Sequence, residues 1–360
     1  MQKRIRGKRK SHGGKVGLPP GSLVHVGEVK AKQVEVSLIR YTPSKIDQQT
    51  TTDLDSLDLS VTDDSVLWLN VYGLHQPELV EKIGHAFNLH ALVLEDILNT
   101  QQRPKLDTYS NSLFVVTRFF NYVRDSMDVS SEQVSLVLGK HFVLTFQERR
   151  TGSFDPIREH LRANEGQLRK SGADYLAYTL LDIIVDRYFL ALEQIGDDCE
   201  TLEDELLRKP ASSLLHNIHK LKRQTMELRH AVWPLREVVN ALIRNESGFF
   251  RPDTLPYLRD VYDHTVHFIE SLESLRDMLA GMLDIYLSTV SNRVNMEVRA
   301  LTVVAMLFMP ATLIAGIFGM NFHWMPWLTN PNGFWFAIGM MVGIALLMGA
   351  IFWRRQWLSR

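Results

Sequence analysis

Asp284, Ser291, Asn295, Thr302, Thr312 and Asn321 lie along a segment that runs into a strongly apolar stretch. Their spacing is regular: Asp284 to Asn295, Ser291 to Thr302, Leu287 to Val298 and Val298 to Met309 are each eleven residues apart. An eleven-residue period keeps one helical face pointing inward with a slight right-handed supercoil. Polar groups on an inward face at membrane depth mark a pathway. Leu301 and Met309, close to that face, could shut such a path by dewetting it. The plainer alternative is that the hydroxyls of Thr302 and Thr312 bond their own helix backbone. That alternative does not serve Asn321, which follows Gly319 and Met320 where the apolar run ends.

A second set consists of carboxylates. Glu95 and Asp96 are adjacent in "VLEDIL", Asp182 lies between Leu181 and Ile183, and Asp260 and His264 are four apart in "LRDVYDHTVH". The last pair shares one helical face. Two readings are open: surface salt bridges, or oxygen ligands for a hard divalent cation that keeps part of its water shell. His216 and His219, in "HNIHK", read as exposed structural histidines. No phosphate-binding loop, dinucleotide fingerprint, zinc-protease helix or paired CxxC occurs, so the sequence offers no catalytic machinery. The formal net charge of −1 gives no sign of a nucleic-acid partner, and Cys199 is the sole cysteine, which excludes an intrachain disulfide.

The elements that must position these residues follow from the patterning. Residues 1–20 form a basic tail that reads as disordered. Residues 21–170 mix strands, at "QVEVSLI", "SVLWLNVYG", "SLFVVTRFFNYV" and a hairpin about Gly139-Lys140, with one helical stretch over 77–99, giving an α/β domain. Residues 171–299 are almost wholly helical. One helix runs to about Arg208, and a second returns to about Asn245 with Pro234 expected to kink it or end it early. A third begins at Pro256 and runs on into the apolar segment. Continued to Met320 it would measure roughly 97 Å and need neighbours along its length, which points to a parallel bundle of several copies.

From Ala300 to Trp353 there is no Asp, Glu, Lys or Arg. Residues 300–320 and 334–353 are each about 20 residues long, enough to cross the hydrocarbon core of a bilayer. Arg293 and Arg299 precede the first span, and Arg354, Arg355 and Arg360 follow the second, while the 321–333 loop has no basic residue. The positive-inside rule therefore puts both termini, including the basic 354–360 tail, in the cytoplasm and the loop outside. Trp324, Trp327 and Trp335 near one face, with Trp353 and Trp357 near the other, suit interfacial anchors in the membrane lipid.

With Gly319-Met320-Asn321 at the end of the first of two C-terminal spans, the sequence resembles the CorA family of magnesium and cobalt channels. "LEDILNTQQRPK", "GADYLAY", "VWPLREV" and "PYLRDVYDHT" also look like family segments, and the likeness covers most of the chain. It implies an α+β membrane protein: a cytoplasmic α/β/α domain, a long helical stalk bundle and two C-terminal transmembrane helices, assembled as a homopentamer in the cell inner membrane. It implies a channel for Mg2+, also Co2+ and Ni2+, and not an enzyme. Residues Gly319, Met320 and Asn321 would form the selectivity filter, and the first span would line the pore through Asp284, Leu287, Asn295, Val298, Leu301, Met309 and Thr312. Asp96 and Asp260 would form an intersubunit regulatory Mg2+ site, flanked by Glu95, Asp182 and His264. In the family Tyr is usual where this chain has Phe318, and many members carry acidic residues in the outer loop, where this chain has none. The tripeptide does not settle the ion. A zinc or other transition-metal transporter of the same superfamily, or a membrane-anchored scaffold or sensor that transports nothing, are the competing readings.

Overall fold

The structure is a computed structural model that describes residues 17–244, 246, 248–320, 323, 325–326 and 330–354. The chain divides into two compact units, residues 1–207 with 211–280 and residues 208–210 with 281–360.

The first unit is built on a seven-stranded sheet in the order β2-β1-β3-β7-β6-β5-β4. The strands are β1 (Glu35–Tyr41), β2 (Ile46–Thr51), β3 (Val66–Tyr72), β4 (Lys105–Thr108), β5 (Leu113–Val123), β6 (Asp128–Leu138) and β7 (Phe142–Gln147). Only β3 and β7 pair in parallel. These two central strands are buried along nearly their whole length, which is why "VLWLNVY" and "FVLTFQ" read as continuous apolar runs rather than alternating ones. The edge strands β2 and β4 are not legible in the sequence. β2 is "IDQQTT", polar, and β4 is only "KLDT".

Helices α1 (Pro77–Ala86) and α2 (Ala91–Leu98) cover one face of the sheet, packing Val80, Ile83, Val93, Ile97 and Leu98 against Val36, Leu67, Leu69, Val71, Val116 and Leu144. The sequence predicts one helical stretch here, and the structure corrects it to two. Asn88 takes a left-handed conformation at φ 49°, and Leu89 N–H reaches back to the Gly84 carbonyl at 2.8 Å, which closes α1. The His90 side chain then accepts from Leu92 N–H and opens α2. The opposite face carries α3 (Asp155–Ala163) and α4 (Ala173–Arg208). There Phe154 meets Trp68 and Phe119, and Tyr188 meets Phe120. The result is an α/β/α sandwich.

Helix α5 (Ser212–Arg244) runs straight through Pro234, so the expectation that this proline ends the helix early is corrected. Its buried residues Leu228, Val232, Leu235, Val238 and Val239 continue at helical spacing on both sides of Pro234, and that packed stripe outweighs the one lost backbone bond. Helix α6 (Leu255–Phe318) has 64 residues and also passes through a proline, Pro310. Its foot is tied to the start of α4 by Asp174, which is 5% exposed. Asp174 accepts from Thr254 Oγ1 at 2.6 Å, from Arg251 N–H at 3.1 Å and from Arg251 Nε at 3.0 Å. Burial pushes this carboxyl up, yet the hydrogen bonds from Thr254 and Arg251 outweigh it and hold the group below its ordinary value. The second unit consists of α6 from Gly281 onward and α7 (Gly333–Arg354).

Replacing Asp174 by Ala is expected to lower the thermal midpoint of the detergent-solubilised protein, because a hydroxyl donor and a guanidinium lose a shared acceptor worth about 1–3 kcal/mol. Asp174→Asn, which keeps an acceptor for Thr254, should lose less. A scan of both variants by intrinsic fluorescence checks the order.

Candidate functional site

The two apolar segments lie on helices long enough to cross a membrane, α6 and α7. Their apolar side chains are largely uncovered: Leu301, Met309, Phe334, Trp335, Leu346 and Trp353 are all well exposed. A helix pair buried inside a soluble core would hide these groups.

On a helix of 3.6 residues per turn, Asp284, Leu287, Asn295, Val298, Leu301, Met309 and Thr312 fall within a stripe roughly 120° wide. Asp284, Leu287, Asn295, Val298, Leu301, Met309 and Thr312 are all exposed in the single chain. Thr302 Oγ1 donates to the Val298 carbonyl at 2.8 Å and Thr312 Oγ1 to the Phe308 carbonyl at 2.9 Å. The two hydroxyls thus satisfy their hydrogens on their own helix, as the plainer alternative holds, and keep their oxygen lone pairs free to accept. Gly319 and Met320 end α6 in a turn in which Gly319 N–H bonds the Ala315 carbonyl at 2.9 Å. Asn321 lies outside the described residues, as do Trp324, Trp327 and Trp357.

The carboxylates form a second constellation, in the first unit. Asp182 and Asp186 on α4 and His264 on α6 bring one ligand atom each within 4.8 Å of one another. Asp260 joins them through His264 Nε2 at 3.9 Å from its Oδ2. Tyr178 OH is 3.4 Å from Asp182 Oδ2. Helix contacts fix this arrangement: Phe189 of α4 packs edge-on against Phe268 of α6 and also meets the His264 ring. Burial and then Asp186 push the Asp182 carboxyl up to about 6, with His264 pulling the other way. A carboxylate that resists ionising among like charges is one that a divalent cation would relieve. Asp186 was not singled out in the sequence. Its signal was available, since Asp182 and Asp186 share the same four-residue spacing as Asp260 and His264.

Glu95 and Asp96 sit on α2. Glu95 Oε2 accepts from Gly21 N–H at 2.7 Å. Asp96 accepts from Gln102 Nε2 and pairs with Lys105 Nζ at 2.6 Å. Burial alone would lower Lys105, but its hydrogen bonds to Asp107 and Asp96 hold it above its ordinary value. The structure therefore brings Asp182, Asp260 and His264 together within one chain and holds Asp96 with different partners.

Residues 63–355 match the family described as CorA-like Mg2+ transporter protein. The chain belongs to this CorA family. It is 44% identical over 345 residues to the cobalt/magnesium transport protein CorA of Thermotoga maritima, covering 96% of this chain and 98% of that one. A zinc transport protein ZntB of Yersinia pseudotuberculosis is 22% identical over 335 residues, covering 92% and 99%. Among solved structures, the complete CorA magnesium transporter of Methanocaldococcus jannaschii superposes with a TM-score of 0.77 at 21% identity, covering 91% of this chain and 99% of that one. That superposition carries the fold: a CorA-type α/β domain, a long helix and two C-terminal apolar helices. As a CorA family member the chain is a divalent-cation transporter of the membrane and not an enzyme.

The raised pKa of Asp182 has a sign that can be tested. The folded state holds this proton up to about pH 6, while the unfolded chain releases it near 3.8. Stability from this group therefore falls as pH rises between those values, and its cost is in full force above about 6. Asp182→Asn in EDTA is expected to raise the thermal midpoint at pH 7.5, and the gain should shrink as pH falls below about 6. Added Mg2+ should stabilise the wild type more than this variant.

Proposed function

We propose that this protein is a channel that carries Mg2+, and also Co2+ and Ni2+, into the cell across the inner membrane, with both termini cytoplasmic. The observation that carries this reading is the 44% identity to the Thermotoga maritima cobalt/magnesium transporter along 96% of the chain. Two spans cannot enclose an aqueous path by themselves, since polar groups at membrane depth need protein or water around them. Several copies must line it, and a homopentamer is the assembly the resemblance implies. The α6 stripe from Asp284 to Thr312 would face the path, with Leu301 and Met309 as its dry constriction. A ring of Asn321 amides at the mouth would hydrogen-bond the waters of a hydrated cation. Such bonds to charged species contribute about 1.5–3 kcal/mol each when direct, and less through a water, so the ion is held weakly enough to move on. A carboxylate ring would bind harder and release more slowly.

Regulation would come from Mg2+ bridging Asp96 of one subunit to Asp260 of its neighbour, with Glu95, Asp182 and His264 close by. Two facing carboxylates at 4 Å repel by about 4 kcal/mol at an effective dielectric of 20, and a divalent ion reverses that sign. Because Mg2+ keeps several waters, its affinity would be modest, which suits a sensor of an abundant ion. Asp260 stands on the helix that continues as the first span. A cell replete with Mg2+ would thereby close its own importer.

The likeness to a zinc transporter supports a second reading less well. Amide and carboxylate oxygens are hard donors, and His323 is the one histidine near the tripeptide.

Uptake into proteoliposomes, with Mg2+, Co2+, Ni2+ and Zn2+ in competition, tests the proposal. Mg2+ flux blocked by Co2+ and Ni2+ is the expected result. Zn2+ flux that Mg2+ does not compete with would transfer the assignment to zinc, and no flux of any ion would leave a scaffold. Asn321→Ala is expected to abolish uptake with the oligomer intact, by flux and by size-exclusion chromatography with light scattering. Asp96→Ala combined with Asp260→Ala is expected to shift Mg2+-induced closure and protection from protease to higher concentration, or remove it.

A further inference from the structure

Both carboxylate oxygens of Asp96 are engaged within its own chain. Gln102 Nε2 donates to Oδ1, and Lys105 Nζ lies 2.6 Å from Oδ2. The same ammonium lies 2.6 Å from Asp107 Oδ2. A tethered cation thus occupies the space between two carboxylates, one on α2 and one on β4. Its Nζ also sits over the Phe114 ring, 5.7 Å from the ring centroid.

The two Asp96 contacts differ in rigidity. Gln102 is held on several sides: its N–H donates to Gln133 Oε1 at 3.2 Å and its carbonyl accepts from Arg118 at 2.9 Å. Gln133 in turn donates to the Asp96 carbonyl at 3.1 Å. This network fixes the direction in which the carboxylate points. Lys105, by contrast, is a flexible four-carbon chain at the sheet edge with a third of its side chain exposed. It can leave Oδ2 without losing all ionic contact, because Asp107 still holds it.

We propose that Lys105 is a built-in competitor for the divalent cation at Asp96, and that its exchange between Asp96 and Asp107 sets the Mg2+ concentration at which the channel closes. The proposal rests on the reading that Asp96 binds the closing cation. When Mg2+ is scarce, the ammonium neutralises Asp96. When Mg2+ arrives, two positive charges outcompete one at Oδ2, and Lys105 swings to Asp107. Lys105 stays paired with Asp107 at both stages, and the cation takes its place at Oδ2. Gln102 keeps Oδ1 oriented throughout, so it is a positioning residue for the same carboxylate.

A structural role and a competitive role predict opposite signs. If Lys105 merely supported the site, its removal would weaken closure. If it competes, its removal strengthens closure, since Asp96 and Asp107 are left facing each other with no ammonium between them. The test is limited proteolysis and flux of the full-length protein in liposomes, titrated with MgCl2. The variants are Lys105→Met, Lys105→Arg, Asp96→Asn and the Asp96→Asn, Lys105→Met pair. Lys105→Met keeps the length of the stem and removes the ammonium. Its Mg2+ midpoint is expected to fall about threefold to fivefold, the effect of removing one partly exposed ion pair from a competitor. Lys105→Arg should stay near the wild type. The double variant should match Asp96→Asn, because the competitor has nothing left to compete for. A Lys105→Met midpoint that stays put or rises, with Asp96→Asn raised, overturns the competitor and leaves the Asp96 site standing. An Asp96→Asn midpoint identical to the wild type overturns the site itself, and the competitor with it.

Discussion

The backbone of a chain in hydrocarbon must satisfy every N–H and C=O from within the chain, and most other features of this protein follow from that constraint. It requires α6 to stay helical down to Phe318 and α7 to be helical over Gly333–Arg354. It excludes charge from Ala300 to Trp353. It also explains why the hydroxyls of Thr302 and Thr312 turn back on their own helix. Pro310 is the exception: it has no N–H, so the Met306 carbonyl one turn earlier loses its helical donor and becomes a free acceptor within the first span.

The half of α6 that precedes the charge-free stretch obeys a different rule, since water is available and packing decides. Asp174 anchors its foot through a carboxylate held by Thr254 and Arg251. One turn and more above, aromatic contacts between α4 and α6 bring Asp182, Asp186 and His264 together. Two carboxylates of this unit therefore play opposite parts. One buried carboxylate is fully served by donors and acts as a fastener. Another, Asp182, is crowded by its neighbours and left short of donors, which is the condition that favours a cation.

What the sequence made legible follows from how local each signal is. The charge-free stretch, the two spans and the long helix rest on runs of many residues. The strands β1, β3, β5, β6 and β7 announce themselves by apolar content. β2 and β4 do not, because an edge strand with one face to solvent is free to be polar, and "IDQQTT" owes its conformation to its pairing with β1. The break between α1 and α2 depends on the backbone of one residue, Asn88, inside a pattern that stays helical in spacing on both sides. Among the site residues, Asp260 and His264 were visible as a helical pair, and Asp182 through its apolar neighbours. Asp186 shares the four-residue spacing with Asp182, but only the meeting of α4 and α6 sets it beside His264. The ties of Asp96 to Gln102 and Lys105 were also out of reach, since they depend on how the chain turns after α2 to enter β4.

Those same edge strands bear on a hazard of another kind. A sheet edge offers unpaired backbone groups that can zip onto the edge of another copy, and a membrane confines copies to two dimensions where such encounters are frequent. Here one edge is a polar strand and the other is four residues long, with Lys105 and Asp107 on it. A longer or more apolar strand at either end would invite cross-copy sheet growth and aggregation. The lysine beside Asp96 therefore also helps keep neighbouring domains from fusing.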